Sequence, residues 1–569
     1  MIPRNRAVAV VVALLVARVA FASAQGNAPP TIITGTLLGA DGRPMKVAHV
    51  HLVPSLERAV LAEAAIAPDG RYAVATTWTG FLRLTFTGVD HQSASVPLIL
   101  ERPTTVVLDV QLARYRYADT LDKVIAIGDW NHFNFDTGRP MQKQTDGRYT
   151  LEVETTEDTV AYELLGLTES RSINGTDAIR YVYDGGGDYR SILKAEKGKA
   201  TIVFDPRLLD RRPSEERIIF RDKGSLVARV ADLDALVNRW SRAFFDSSRA
   251  ASARKDSLHF DRAAPVRELT AQLAREREPL MRQMLLLALL QWAQRGAALD
   301  PATLARVTQE VPPTSLAWSS ITYGEPVFMI FAYELAAHPH ATFRDAWKDT
   351  VAVRQAMVYV DSVVAKHPNR IVRADALASA VQLGMAAGQT ELANKYFLRL
   401  GEEYPDAPML SFLKAQFAPD RVLRVGVPVP DFHFAMLTDT TKTFTRDAMR
   451  GKTYLLDFWA TWCGPCIGDM PYLHAAYDSL HAKGLEILSV SLDRDPSDVT
   501  HFVADKWKMP WLHAFARGGF TNAAMKQFEV VFIPRMALVG ADGKILAVDG
   551  DLRGDKLLPT LRQTFPTVP

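Results

Sequence analysis

The reading of the chain turns on one stretch, Asp457-Phe458-Trp459-Ala460-Thr461-Trp462-Cys463-Gly464-Pro465-Cys466. It holds the only two cysteines of the 569 residues, with two residues between them, directly after an apolar run of Tyr454, Leu455, Leu456, Phe458 and Trp459. That run is rich in strand formers and too short for a helix of its own, so it predicts a buried strand. From Cys463 to about Lys483 the apolar residues Ile467, Met470, Leu473, Tyr477 and Leu480 recur at helical spacing. Strand, cysteine pair, helix is the context in which C-x-x-C carries redox chemistry. A structural zinc site calls for four ligands, and no second cysteine pair completes one, so no metal is expected. A purely structural disulfide stays open as the alternative.

Outward from this stretch, the N-terminus reads as a secretory signal over residues 1–24. Arg4 and Arg6 precede an apolar core from Ala7 to Ala17, and Ala22-Ser23-Ala24 supplies an A-x-A cleavage site. Arg18 interrupts the apolar run and leaves it short for a bilayer span; an uncleaved anchor is the alternative. The expectation is a soluble protein exported to the periplasm or another extracytoplasmic space, where a single close cysteine pair favours catalysis over stability. The formal charge of +2 provides no electrostatic case for nucleic acid. The length suggests several domains, and 48% hydrophobic with 23% charged residues is ordinary for folded protein.

Residues 31–112 show short strand-like runs divided by turn chemistry at Asp41-Gly42, Asp69-Gly70 and Gly88. The spacing predicts an all-β sandwich module, and its layout resembles carboxypeptidase-regulatory-like modules. Residues 119–206 contain Gly128-Asp129-Trp130-Asn131 and later Asp146-Gly147-Arg148-Tyr149. This second β module resembles the Ig-like glycogen- and starch-binding modules, with Phe133 at the position of their stacking tryptophan and no lysine beside Tyr162. The resemblance raises glycan binding as a possibility and an Ig-like spacer as the simpler reading. Asn174-Gly175-Thr176 is a glycosylation sequon only in a eukaryote.

Residues 226–418 have apolar residues at three- and four-residue spacing and predict an all-α helix-hairpin region. Val364-Ala365-Lys366-His367-Pro368-Asn369 and Gly401-Glu402-Glu403-Tyr404-Pro405-Asp406 look alike, at close to the period of a tetratricopeptide hairpin, so the end of this region is TPR-like. His338, His340 and His367 lack a ligand-like partner set and are expected to be solvated or capping.

Residues 420–569 complete the chain. A hairpin over Phe432–Leu437 and Thr443–Thr445 precedes the opening strand and helix. Then follow a strand Leu485–Asp493, a helix Ser497–Lys508, a helical piece Asn522–Phe528, a hairpin turning on Ala541-Asp542-Gly543, and a helix from about Gly554. The order predicts an α/β domain with a mixed sheet. With "FWATWCGPC", Asp469-Met470-Pro471, "SVSLD" and Ile533-Pro534, the domain resembles thioredoxin-fold proteins of the TlpA/ResA type.

That resemblance implies the roles. Cys463, at the start of the helix, is the attacking sulfur and Cys466 resolves the mixed disulfide; the helix end favours the thiolate. Asp457 stands where thioredoxin has its buried carboxylate, a candidate proton acceptor for the resolving thiol. Asp469 stands where the ResA-like group has glutamate, either a second acid near the pair or a first-turn carboxylate favoured by the helix dipole. Pro534 is the candidate cis-proline, with Ile533 before it, beside a backbone edge for a client peptide. Arg535 replaces the usual threonine and would alter the charge preference for clients. Trp462 and Trp459 are candidates for an apolar rim, with packing the simpler role for Trp459.

Gly464-Pro465 between the cysteines resembles the reducing members. The expectation is a thiol-disulfide oxidoreductase that reduces disulfide-containing client proteins and is itself reduced by a membrane electron donor, with no cofactor implied. Two other classes stand beside it. A glycan- or partner-binding adaptor would make the redox domain auxiliary. A thiol peroxidase would need threonine three residues before the reactive cysteine, whereas Thr461 is two before Cys463 and Cys466 is present.

Overall fold

Strand Ala48–Pro54 alternates strictly, burying Ala48, Val50 and Leu52 while His49 and His51 stay half-buried, the two-residue period of a sheet with one face on a core. The computed structural model describes residues 29–565, leaving out 55–59, 119–120, 122, 169–171, 186–188, 255–257, 296, 298–300, 323–324, 327–349, 387 and 440. The expected signal over 1–24, with His338 and His340, lies outside the described residues. The chain divides into two compact units, Met1–Tyr404 and Pro405–Pro569.

In the first unit, two four-stranded sheets share one core. One runs Arg217–Phe220, Thr105–Gln111, Thr31–Leu38, Arg71–Thr76; the other runs Ala62–Ala65, Ala48–Pro54, Gly80–Gly88, Ala94–Leu100. Ile33, Leu37, Val50, Leu84, Phe86 and Leu108 lie between them. Gly35 is required here, because a Cβ would stand 1.6 Å from the Leu108 carbonyl oxygen. Strand Arg217–Phe220 pairs with Thr105–Gln111 across more than a hundred residues of chain, a non-local pairing that local pattern cannot reveal.

Two further sheets, of three and five strands, enclose Tyr149, Tyr162, Leu164, Ile202 and Phe204. The ring of Phe133 is covered by the Arg190 guanidinium, 4.0 Å from its centroid. Asn174 is buried and its amide donates to the Tyr189 carbonyl, so the sequon at this position is closed to modification.

Helices Leu226–Arg254, Ala263–Arg275, Pro279–Gln294, Pro301–Glu310, Thr350–Lys366, Arg370–Ala386 and Thr390–Glu403 follow. His367 is buried at the start of Arg370–Ala386. Its Nε2 bonds the Ser315 carbonyl at 3.0 Å and its Nδ1 accepts from Asn369 N at 3.0 Å. No helix among the described residues is long and apolar enough to cross a membrane.

The second unit is the thioredoxin fold. It begins with helix α1 (Pro408–Phe417), ahead of the sheet. The strands are β1 (His433–Met436), β2 (Thr443–Thr445), β3 (Thr453–Trp459), β4 (Leu485–Ser491), β5 (Leu512–Phe515), β6 (Arg535–Val539) and β7 (Ile545–Val548). Their order across the sheet is β2-β1-β5-β4-β3-β6-β7. Strands β3, β4 and β5 run parallel, and β6 runs antiparallel to β3. The main helices are α2 (Gly464–Leu480), α3 (Pro496–His501), α4 (Ala523–Gln527) and α5 (Leu557–Thr564). Strand β5 has no counterpart in the sequence reading. Four residues are too few for a period to declare itself, and Leu512-His513-Ala514-Phe515 is held by pairing with β4 and β1. The sheet packs two cores: Leu455, Trp459, Met470, Leu473 and Leu561 on one face, Leu456, Phe458, Phe434 and Phe528 on the other.

Candidate active site

Alternation along β3 decides which way Asp457 points. Leu455 and Trp459 belong to the core shared with α2, while Leu456 and Phe458 belong to the opposite core. Asp457, between them in register, therefore faces the side that carries the cysteine helix. It is 1% exposed. Ser489, its partner on β4, donates from Oγ to Asp457 Oδ2 at 2.9 Å, and the Trp511 indole N–H donates to Ser489 Oγ at 3.0 Å. Asp457 Oδ1 is buried with no hydrogen-bond partner among the described residues. Burial pushes the carboxyl up to about 7; the Ser489 bond pulls it down, the Asp469 charge adds to the rise, and Arg553 opposes it.

Where β3 ends, the chain turns into α2 through Ala460, Thr461 and Trp462. Cys463 is the N-cap of α2 and Pro465 lies in its first turn, where a proline costs no hydrogen bond. The Cys466 N–H donates to Cys463 Sγ at 3.2 Å, so an otherwise orphaned donor of the helix end points at the sulfur. Cys463 and Cys466 are joined as a disulfide, with Cα atoms 5.3 Å apart, and both residues are buried. Trp462 is 59% exposed and stands near exposed Phe520, ring centroids 6.5 Å apart, whereas Trp459 is fully buried. Trp462 is placed where an apolar rim would need it, and Trp459 packs in the core.

Asp469 corrects one of the two readings offered for it. It is not in the first turn of α2. It is buried in the second turn, where Arg553 Nε bonds its Oδ2 at 2.7 Å and the Gly554 N–H points at its Oδ1 at 3.3 Å.

The Ile533–Pro534 peptide is cis. Ile533 packs against the core that includes both cysteines, and its backbone N–H and C=O make no hydrogen bond among the described residues. Arg535 overturns its expected role. It is fully buried, on the face of the sheet away from the cysteines, so it presents no charge to a client.

One residue of the site escaped the sequence reading. Asp493 is buried. Its carboxylate accepts from the Thr461 N–H at 3.0 Å, the Thr461 hydroxyl at 2.6 Å and the Ser491 hydroxyl at 2.7 Å. It therefore anchors the turn immediately before Cys463. In the sequence it appears only as the last residue of the "SVSLD" stretch, where nothing distinguishes its carboxylate from an ordinary cap.

A disulfide-linked cysteine pair opening a helix at the end of a central strand, over a buried carboxylate, defines the class: the redox unit is an oxidoreductase of the thiol–disulfide type. Its sequence relatives agree. Residues 424–551 match the family model described as Redoxin. The thiol-disulfide oxidoreductase ResA of Bacillus cereus is 28% identical over 152 residues, 26% of this chain and 84% of that protein. ResA of Oceanobacillus iheyensis is 37% identical over 86 residues, 15% of this chain and 45% of that protein. Among solved structures, the thioredoxin domain of a Bacteroides vulgatus thiol-disulfide oxidoreductase shares 28% identity, covering 25% of this chain and 99% of that one with a TM-score of 0.23. A thiol:disulfide interchange protein from a Bacteroides species shares 27%, covering 26% and 93%, with a TM-score of 0.24.

Proposed function

We propose that the chain is an exported disulfide reductase in which Cys463 attacks client disulfides and Cys466 resolves the product. In the reduced protein the Cys463 thiolate attacks one sulfur of a client disulfide. A Cys463–client bond forms, the client S–S bond breaks, and the other client sulfur leaves as thiolate. Cys466, losing its proton to Asp457, then attacks Cys463 Sγ and expels the second client thiolate. The client gains two electrons and the protein ends as the Cys463–Cys466 disulfide, which a membrane electron donor re-reduces.

The observation that carries this reading is the Cys466 N–H aimed at Cys463 Sγ at 3.2 Å. A donor so placed stabilises negative charge on that sulfur both as nucleophile and as leaving group. Asp457 supports it, since a buried carboxyl pushed up to about 7 can take and return a proton near neutral pH. The unpaired backbone of Ile533 and the exposed Val531, Trp462 and Phe520 offer a strand edge and an apolar rim to an unfolded client. Pro534, Ile533, Gly464 and Pro465 thus position the client, and Asp469 acts on Asp457 through its charge.

The other classes find less support. The peroxidase reading needs a free threonine hydroxyl, and Thr461 donates its hydroxyl to Asp493. The glycan reading needs an open aromatic face, and the Arg190 guanidinium covers Phe133. The β and helical modules then serve as spacers or as surfaces that select the client. Export is tested by N-terminal sequencing of the secreted chain, which is expected to begin at Gln25.

Reduction of insulin disulfides with dithiothreitol tests the activity. Wild type is expected to accelerate it and Cys463→Ser to abolish the effect. A redox titration fixes the direction: a potential near thioredoxin's ~−270 mV supports reduction, and one near ~−120 mV makes the protein an oxidant.

A further inference from the structure

Arg535 is among the largest fully buried side chains of the molecule. On β6 it lies opposite Phe458 of β3, on the sheet face away from Cys463 and Cys466. Its Nη1 pairs with Asp549 Oδ2 at 3.2 Å, and its Nη2 donates to the Ala415 carbonyl at 2.9 Å. Ala415 sits in the last turn of α1, where carbonyls have no partner within the helix and the dipole is negative, so a cation there meets an open acceptor. The guanidinium also covers the ring of Phe532, 5.2 Å from its centroid, and Phe532 packs on Phe412 of the same helix at 4.8 Å.

Both flanks of Ile533–Pro534 are thus held by one helix, Phe532 from before and Arg535 from after. That helix precedes residues 424–551, the part of the chain that matches the Redoxin family. Between α4 and β6 the segment Val531–Pro534 belongs to no helix or strand, and Val531 is exposed. A segment without its own ladder keeps a single conformation only if side chains fix its ends, and a recognition edge fixed in advance spends less entropy on binding.

We propose that helix Pro408–Phe417 is a working part of the redox unit and that Arg535 is a positioning residue through which it holds the client-facing edge at Ile533. The proposal rests on the reading of Cys463 as the sulfur that attacks clients. It separates two properties. Chemistry at Cys463 depends on the α2 terminus and on Asp493, which Arg535 does not touch; docking of a polypeptide depends on the clasped edge.

The test uses the full chain, pre-reduced, as wild type, Arg535→Thr, Arg535→Lys and Phe412→Ala. Phe412 is apolar and leaves Asp549 untouched, so it carries the test if loss of the arginine disturbs folding. Each protein reacts with insulin, which needs the edge, and with 5,5′-dithiobis(2-nitrobenzoate), which does not. Arg535→Thr and Phe412→Ala are expected to raise KM for insulin about tenfold, with kcat and the small-disulfide rate within about twofold of wild type. Arg535→Lys, which keeps one donor, should fall between. Hydrogen exchange at the amides of 531–533 should quicken in the same variants. An unmoved KM for insulin, or a small-disulfide rate that falls in step with insulin turnover, overturns the positioning role. Failure of wild type to reduce insulin overturns the reductase reading, and the positioning role with it.

Discussion

Asp457 is costly to the fold as a carboxylate, the form that the proposed proton transfer from Cys466 uses. Its carboxyl is pushed from 3.8 to about 7, chiefly by burial, so between those values the folded state holds a proton that the unfolded chain releases. Stability is therefore full below about pH 4 and falls as pH rises through 7. Asp457→Asn should match wild type in denaturant unfolding at pH 4 and exceed it by roughly 2–4 kcal/mol at pH 8. The same variant should slow resolution of a Cys463 mixed disulfide about 100-fold at pH 7, measured by single-turnover release. A variant no more stable than wild type at pH 8 would show that the carboxylate is not paying a burial penalty. Two neighbours tune the group in opposite senses. Asp469→Asn should move the Asp457 titration down and Arg553→Ala should move it up, read from its carboxyl carbon by NMR. Equal titrations in both variants would exclude the electrostatic link.

At the scale of elements, the junction of β3 and α2 depends on a third element, β4. Asp493 follows β4 and holds Thr461 by two groups, its N–H and its hydroxyl. Asp493→Ala leaves the two half-buried Thr461 donors and the buried Ser491 hydroxyl without this acceptor, a loss of about 2–3 kcal/mol. Faster exchange at the Thr461 amide and a lowered melting temperature of the redox unit are the expected readouts; unchanged exchange would free the turn from this anchor. Most of this site was legible from local pattern. The apolar run announced β3, the helical spacing announced α2, and the motif placed Cys463, Cys466 and Asp457. What remained hidden was held by distant pairing: β5 is four residues long, and Asp493 holds Thr461 from 32 positions away. Arg535 was misread for a related reason. A charged residue beside a presumed docking edge suggests exposure, and only the distant Asp549 and Ala415 make its burial tolerable.

For the whole molecule, cysteine economy gives the sharpest handle. Cys463 and Cys466 are the only two in the sequence, so Cys466→Ser leaves one thiol and no route to an internal disulfide. Every disulfide-linked adduct of that variant must then sit on Cys463. Adducts resolved by non-reducing electrophoresis should appear with Cys466→Ser and vanish when Cys463→Ser is added; adducts that persist would place the client elsewhere. The remainder of the chain is organised by contacts between remote segments. Strand Arg217–Phe220 returns to a sheet begun at Thr31, and helix α1 joins the redox unit although its spacing continues that of the helices before it.

Taken alone, the sequence determined the class of chemistry, thiol–disulfide exchange, because a cysteine pair between a buried strand and a helix is a local statement whose meaning needs few neighbours. The tertiary structure alone decided what surrounds that pair. Asp457 faces the cysteine helix with one oxygen unpaired, Asp493 reaches back to Thr461, and Arg535 turns from a surface charge into a buried clasp. Each depends on residues brought together across the sheet, and non-local contact is what a linear pattern does not encode.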